Sequence, residues 1–202
     1  MGRLRTHPPP TNIQKGQTDM STDVQTIAVK RIDGAESSLG AFAGRVLLVV
    51  NVASKCGLTP QYAALEKLYE EYAPRGLEVL GFPANNFGAQ EPGTDAEIQD
   101  FCTTKYDVSF PMFSKISVKG ADQHPLYKAL TDAQPTAVTP EGSNFKAKLA
   151  SYGIKIDSDV DVMWNFEKFL VNKTGDVVAR FSPDTPPDHP LIVAAIENEL
   201  AH

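Results

Sequence analysis

Three observations predict an α/β fold with a central mixed β-sheet flanked by helices. The run VLLVVNV (Val46–Val52) is almost wholly aliphatic, which fits a strand covered on both faces. The order of patterns is strand, helix, strand, helix, then two strands around a tight turn and a last helix. The chain has 202 residues, enough for one domain that buries roughly 70% of the surface its unfolded chain exposes.

Each element has a local reason. Residues 23–32 (DVQTIAVKRI) alternate loosely and run into the turn-rich DGAESSLGAFAG, which suggests an early hairpin or edge strand. After Val46–Val52, Thr59 is a candidate N-cap with Pro60 at the first helical position. Tyr62, Leu65, Leu68, Tyr69 and Tyr72 then recur at helical spacing, and Gly76 ends the helix. LEVLGFP (Leu77–Pro83) is a second buried strand, which makes a parallel βαβ unit. Thr94 and Glu97 form a T-x-x-E capping box ahead of Ile98, Phe101 and Cys102.

A short helix is expected at residues 124–131. Residues 134–161 mix Pro, Gly, Ser and charge around a brief helical pattern at 145–149, and read as an excursion from the core. FEKFLVN and DVVARF, joined through Lys173, Thr174 and Gly175, predict a hairpin, and residues 190–200 a closing amphipathic helix. Parallel strands first and antiparallel strands last give a thioredoxin-like sheet between helices. The first twenty residues are polar, carry Pro8, Pro9 and Pro10, and read as a disordered leader or an alternative start region ending at Met20. The folded domain is expected over 21–202.

Composition excludes several classes. With 42% apolar and 22% charged residues, and no segment near the ~20 apolar residues of a membrane span, insertion in a bilayer is not expected. A net charge of −6 with scattered Lys and Arg argues against nucleic acid. Cys56 and Cys102 are the only cysteines, and the histidines lie far from them, so neither a disulfide scaffold nor a zinc site is indicated. A reducing compartment, and so a cytoplasmic location, is the expectation.

Cys56 follows the aliphatic strand and precedes a helix. A thiol there lies near unpaired backbone N–H groups and the positive end of the helix dipole, both of which favour thiolate, with Lys55 adding a screened contribution. Local sequence leaves a second reading open, that of a small hydrophobe packed inward.

The motifs NVASKCGLT, FPANNFGAQEPG and WNFEKFLV, in that order, resemble the glutathione peroxidase family, and the likeness runs from about Thr26 to the C-terminus through FCTTKYDVSFPMFSKI and RFSPDTPP. The resemblance implies that Cys56 is the peroxidatic residue, with Gln90, Trp164 and Asn165 as catalytic partners. All three are neutral hydrogen-bond donors able to stabilise the oxygen that leaves when a peroxide is cleaved. Alone, Trp164 would read as core, Asn165 as a turn residue and Gln90 as a solvated loop residue. Lys55, Gly57 and Thr59 around the cysteine, and Pro83, Asn85 and Phe87 in the FPxNxF loop, take supporting roles. No bound cofactor or metal is implied.

Two departures from the family pattern stand out: Ala84 and Asn86 replace Cys and Gln in the FPCNQF form of the loop, and Cys102 falls one position before the resolving cysteine of thioredoxin-linked relatives, at Thr103. Such a shift turns a helical side chain by about 100°. Cys102 remains the internal candidate to resolve a Cys56 sulfenic acid, or else is a buried helix cysteine. The resemblance implies hydrogen peroxide and organic or lipid hydroperoxides as substrates, and thioredoxin or glutathione as electron donor. Thioredoxin is favoured because no basic set for glutathione's carboxylates is identifiable. The 134–161 segment has the length found in oligomeric relatives and leaves a homo-oligomer open. A peroxide-sensing relay on the same scaffold is the alternative; a thiol-disulfide oxidoreductase is disfavoured by the lack of C-x-x-C.

Overall fold

The computed structural model describes residues 23–202, and the leader read over residues 1–20 lies outside them. The early hairpin is formed by β1 (Ala28–Lys30) and β2 (Glu36–Ser38), antiparallel and separate from the main sheet. Asp23 accepts a bond from the Gln25 N–H at 2.9 Å, so the chain enters through a short 3-10 turn rather than in extended form.

β3 (Val46–Val52) is the middle of a four-stranded sheet. It pairs in parallel with β4 (Leu77–Pro83) and antiparallel with β5 (Lys168–Val171), which pairs with β6 (Val177–Phe181); the order is β4-β3-β5-β6. Its aliphatic composition follows from a core on each face. Val46, Leu48, Val50 and Val52 join one core with Tyr62, Leu65, Ile98, Ile192 and Ile196. Leu47 and Val49 join the other with Phe82, Phe113, Leu126, Tyr127 and Phe169. Each such aliphatic side chain contributes about 1.5–3 kcal/mol on burial.

The first core is covered by α1 (Gln61–Tyr72), α2 (Asp95–Tyr106) and α5 (Pro190–Ala201), and the second by α3 (Pro125–Ala133). α1 ends through a 3-10 turn at Gly76, whose φ of 111° is a left-handed conformation. Thr94 and Glu97 form the full capping box on α2. His124 and His189 cap α3 and α5, each ring accepting a backbone N–H, from Leu126 at 3.1 Å and Leu191 at 3.2 Å, with proline at the next position.

One cap differs from expectation. Thr59 does not cap α1; the helix begins after Pro60 with no side-chain cap bond. The buried Thr59 hydroxyl instead accepts the Cys56 N–H at 2.9 Å and donates to the Ala53 carbonyl at 2.8 Å. A hydroxyl can serve a nearby loop as readily as a helix end, and here the loop takes it.

The 134–161 segment, with α4 (Phe145–Ser151), is anchored rather than loose. Arg180 on β6, 2% exposed, donates to the carbonyls of Gln134 at 3.0 Å, Val160 at 2.9 Å and Asp161 at 2.9 Å, and pairs with Glu167 at 2.5 Å. One buried guanidinium therefore ties both ends of the segment to the sheet. Its five donors and planar fork suit that task, and full pairing offsets its desolvation.

Candidate active site

Cys56 sits in the loop leaving β3, 8% exposed. Thr59 fixes its backbone from one side, and the Leu58 N–H points at its sulfur, 3.3 Å from Sγ. The first residue of α1 is Gln61, so sulfur and helix are separated by turns in which Cys56 and Leu58 carbonyls accept the N–H groups of Thr59 and Gln61. The N–H that serves the sulfur directly is therefore a loop amide rather than one of the orphan amides of the helix.

The second wall is the loop after β4. Gly88 and Ala89 both have positive φ, 60° and 51°, and turn the chain tightly before Gln90. Alanine in that region costs of order 1–3 kcal/mol, held here by the surrounding bonds. Asn85 accepts the Glu91 N–H at 2.9 Å, and the Gln90 carbonyl accepts the Lys55 N–H at 3.0 Å, which fastens this loop to the one carrying Cys56. Asn86 bridges to the next segment, accepting from Val118 N–H and donating to Ser117 Oγ, both at 2.9 Å.

The third wall is Trp164 to Phe166. Asn51, the one polar residue of β3, donates its side-chain amide to the Trp164 carbonyl at 3.0 Å, and its main-chain carbonyl accepts the Phe166 N–H at 2.6 Å. Phe166 has φ of 66°, a strained value for an aromatic residue, and the Asn51 clamp holds it there. Trp164 packs on Phe87, with ring centroids 5.2 Å apart. Asn165 is fully buried, and its amide N–H donates to the Gln90 side-chain carbonyl at 2.9 Å.

Cys56, Gln90 and Trp164 line one cleft of about 620 Å³, together with Gly57, Leu58 and Phe87. Asn165 is absent from its lining and stands behind Gln90. Pro83 ends β4, and its carbonyl accepts from Ile116 at 3.0 Å; Lys55 is exposed, and a Cβ added at Gly57 would meet nothing within 4 Å. The opposite side of the cleft is built by α4 and the residues after it, including Leu149, Tyr152, Ile154 and Ile156.

Sequence reading found no basic set near the cysteine, yet Lys119, Lys148 and Lys155 all line this cleft. They are scattered along the chain, and only the folding of the 134–161 segment over the site collects them. Asn51 and Arg180 were also missed. The available signal was a lone polar residue in an apolar run in one case and a lone charge in a strand in the other.

Cys102 lies fully buried in α2, in the same core as Cys56, and both thiols are free. Burial pushes its thiol up to about 11; the Glu91 carboxylate adds to the rise and Tyr62 opposes it. The Glu91 carboxyl is itself raised by burial, against the lowering influence of Ser54, Lys115 and Lys55. Among the described residues no group of three or more His, Cys, Asp or Glu side chains is arranged to hold a metal ion, and no helix is long and apolar enough to cross a membrane.

Cys56 thus lies in the loop after the central strand of a thioredoxin-like scaffold, in a cleft it shares with Gln90 and Trp164. The family description "Glutathione peroxidase" matches residues 24–131. The thioredoxin/glutathione peroxidase BtuE of Escherichia coli is 53% identical over 182 residues, covering 90% of this chain and all of that protein. The hydroperoxy fatty acid reductase of Synechocystis is 45% identical over 169 residues, covering 84% and 90%. Among solved structures, Trgpx in its apo form superposes with a TM-score of 0.65 at 32% identity, over 90% of this chain and 97% of that one. A thiol:disulfide interchange protein DsbE from Chlorobium tepidum shares the fold, with a TM-score of 0.51 at 16% identity, over 86% and 92%. The chain belongs to the glutathione peroxidase family.

Proposed function

We propose that the protein is a thiol peroxidase in which the Cys56 thiolate attacks the outer oxygen of a hydroperoxide. The S–O bond forms as the O–O bond breaks; Cys56 becomes a sulfenic acid, two electrons pass to the peroxide, and an alkoxide or hydroxide departs. The Gln90 NH₂ and Trp164 indole N–H donate to that departing oxygen. Neither titrates near neutral pH, so the proton that completes the alcohol or water comes through solvent. The observation that carries this reading is the bond from Asn165 to Gln90 Oε1: with its carbonyl occupied, Gln90 has its NH₂ left for the cleft. Asn165 thus acts through Gln90 as a positioning residue.

Regeneration uses Cys102. Its thiol attacks the sulfenic sulfur, an S–S bond forms and water leaves; a thioredoxin-type dithiol then returns two electrons and two protons and is itself oxidised to a disulfide. The relative whose name joins thioredoxin to glutathione peroxidase supports this donor. Cys102 is fully buried in α2, so in this scheme the helix opens locally to bring its thiol to Cys56 with the geometry a disulfide requires. Such chemistry belongs in a reducing compartment, and the cytoplasm fits.

The deciding assay is NADPH consumption with hydrogen peroxide, run with thioredoxin and its reductase and again with glutathione and its reductase. Many turnovers with thioredoxin support the proposal. A single peroxide equivalent consumed with either donor favours the relay reading instead.

A further inference from the structure

Glu91 follows Gln90 in the loop after β4, yet it is absent from the cleft that Gln90 lines. It is 1% exposed, and its Oε2 is shielded from solvent with no hydrogen-bond partner among the described residues. Leaving a carboxylate oxygen buried and unpaired costs free energy, and catalytic groups are among the few that native proteins keep so. The main chain around it is fixed: Asn85 accepts its N–H at 2.9 Å, and the Lys115 ammonium donates to its carbonyl at 3.0 Å and to that of Gly93. Lys115 is thus turned to main-chain carbonyls, and Lys55 is exposed.

This carboxylate stands between the two thiols. On one side, the Gln90 carbonyl accepts the Lys55 N–H at 3.0 Å, which sets Glu91 against the loop that carries Cys56. On the other side is α2. Glu91, Ser54 and Lys55 share a hollow of about 410 Å³ with Ile98 and Phe101 of α2, and no residue lines both this hollow and the cleft at Cys56. Ile98 and Phe101 precede Cys102 by one turn and by one residue, so the hollow borders the part of the helix that opens to release the thiol. Tyr62 of α1 is fully buried, with its hydroxyl beside Cys102 and within electrostatic reach of Glu91.

A thiol is a poor nucleophile until its proton is removed, and Cys102 sits in an apolar core without bulk water to take it. We propose that Glu91 is the general base of the resolving step, taking the Cys102 proton as α2 opens. The Cys102 thiolate attacks the Cys56 sulfur; the S–S bond forms as the S–O bond breaks. The departing hydroxide takes the proton back from Glu91 and leaves as water, so Glu91 ends as the carboxylate it began. Cys102 sulfur is oxidised and Cys56 sulfur reduced in the exchange. The Tyr62 hydroxyl donates to the Cys102 sulfur while it is negative. The proposal rests on the reading of Cys102 as the resolving thiol.

Burial raises the Glu91 carboxyl, against Ser54, Lys115 and Lys55, while Glu97 at the edge of the hollow is lowered by its bonds to Thr94. The resolving step should therefore weaken as pH falls through that raised range and level off above it. The test is a single turnover with one equivalent of hydrogen peroxide, quenched in acid at intervals and mapped for sulfenic acid and for disulfide, so that the second step is read apart from the first. Parent and Glu91→Gln are compared from about pH 5 to about pH 10. The variant should form the disulfide about 100-fold more slowly near pH 7 and gain about tenfold per pH unit on the way to the thiol's own range at about 11, so that the two proteins converge. A loss by the same factor at every pH is what disturbed packing gives, and it would overturn the proposal, as would a parental rate in the variant at neutral pH. So would a parent whose own rate climbs about tenfold per unit throughout, a result that needs no variant. No disulfide in the parent removes the resolving role of Cys102, and with it the step that Glu91 serves; equal rates in the two proteins remove Glu91 alone.

Discussion

The amide of Asn165 donates to the side-chain carbonyl of Gln90 at 2.9 Å, from a position with no access to the cleft that Gln90 lines. Two residues that look alike in sequence thus have different places, one facing the cleft and one behind it. Replacing Gln90 with Leu should slow peroxide oxidation of Cys56 about 100-fold, the usual effect of removing an oriented donor. Asn165→Ala should slow it less, about tenfold, and should add little in the Gln90→Leu background. Rapid-mixing rates for the four proteins give the cycle; fully additive effects would contradict the positioning role.

Thr59 links the Cys56 N–H to the Ala53 carbonyl. Thr59→Val leaves both groups unpaired in a buried loop and should cost about 1–3 kcal/mol of stability, read by urea unfolding. Thr59→Ser keeps the hydroxyl and should restore the bonds, together with the oxidation rate of Cys56. Equal losses in the two variants would contradict the role given to the hydroxyl.

Lys168 is buried on β5, its ammonium held by the carbonyls of Pro183 at 3.1 Å and Thr185 at 2.6 Å. Burial lowers it to about 7, against the raising influence of Glu167 and Asp184. Between that value and the ordinary lysine range the unfolded chain binds a proton that the folded chain does not, so stability rises with pH across this window. Relative to Lys168→Met, the parent should gain roughly 2–3 kcal/mol from about pH 7 to about pH 9.5. A constant difference in urea unfolding would show that the ammonium keeps its charge inside the protein.

Cys102 combines full burial with a thiol pushed up to about 11. Near neutral pH iodoacetamide should alkylate Cys56 and spare Cys102 in the folded protein, with both labelled in denaturant. Peptide mapping reads the outcome. Comparable labelling of the two in native buffer would mean that α2 opens far more often than its full capping box implies.

Much of this architecture can be read from residues alone because local and tertiary signals agree. The β3 run is aliphatic on both faces because both are covered, and Thr94 with Glu97 caps α2 by chemistry that needs no distant partner. Thr59 was misread because one hydroxyl can satisfy either a helix end or a loop, and the choice is made by Ala53 and Cys56 in three dimensions. The site motifs name residues that line the cleft with Cys56, but not that Asn165 lies behind Gln90. The three lysines of the cleft stayed hidden because their proximity exists only once Arg180 has tied the 134–161 segment to the sheet.

The most direct measurement is peptide mapping of a Cys102→Ser protein after one equivalent of hydrogen peroxide, with dimedone present to trap sulfenic acid. A near-stoichiometric adduct at position 56, formed within seconds, is the result predicted here. A free Cys56 thiol in a solution whose peroxide has not been consumed would contradict the account at its root.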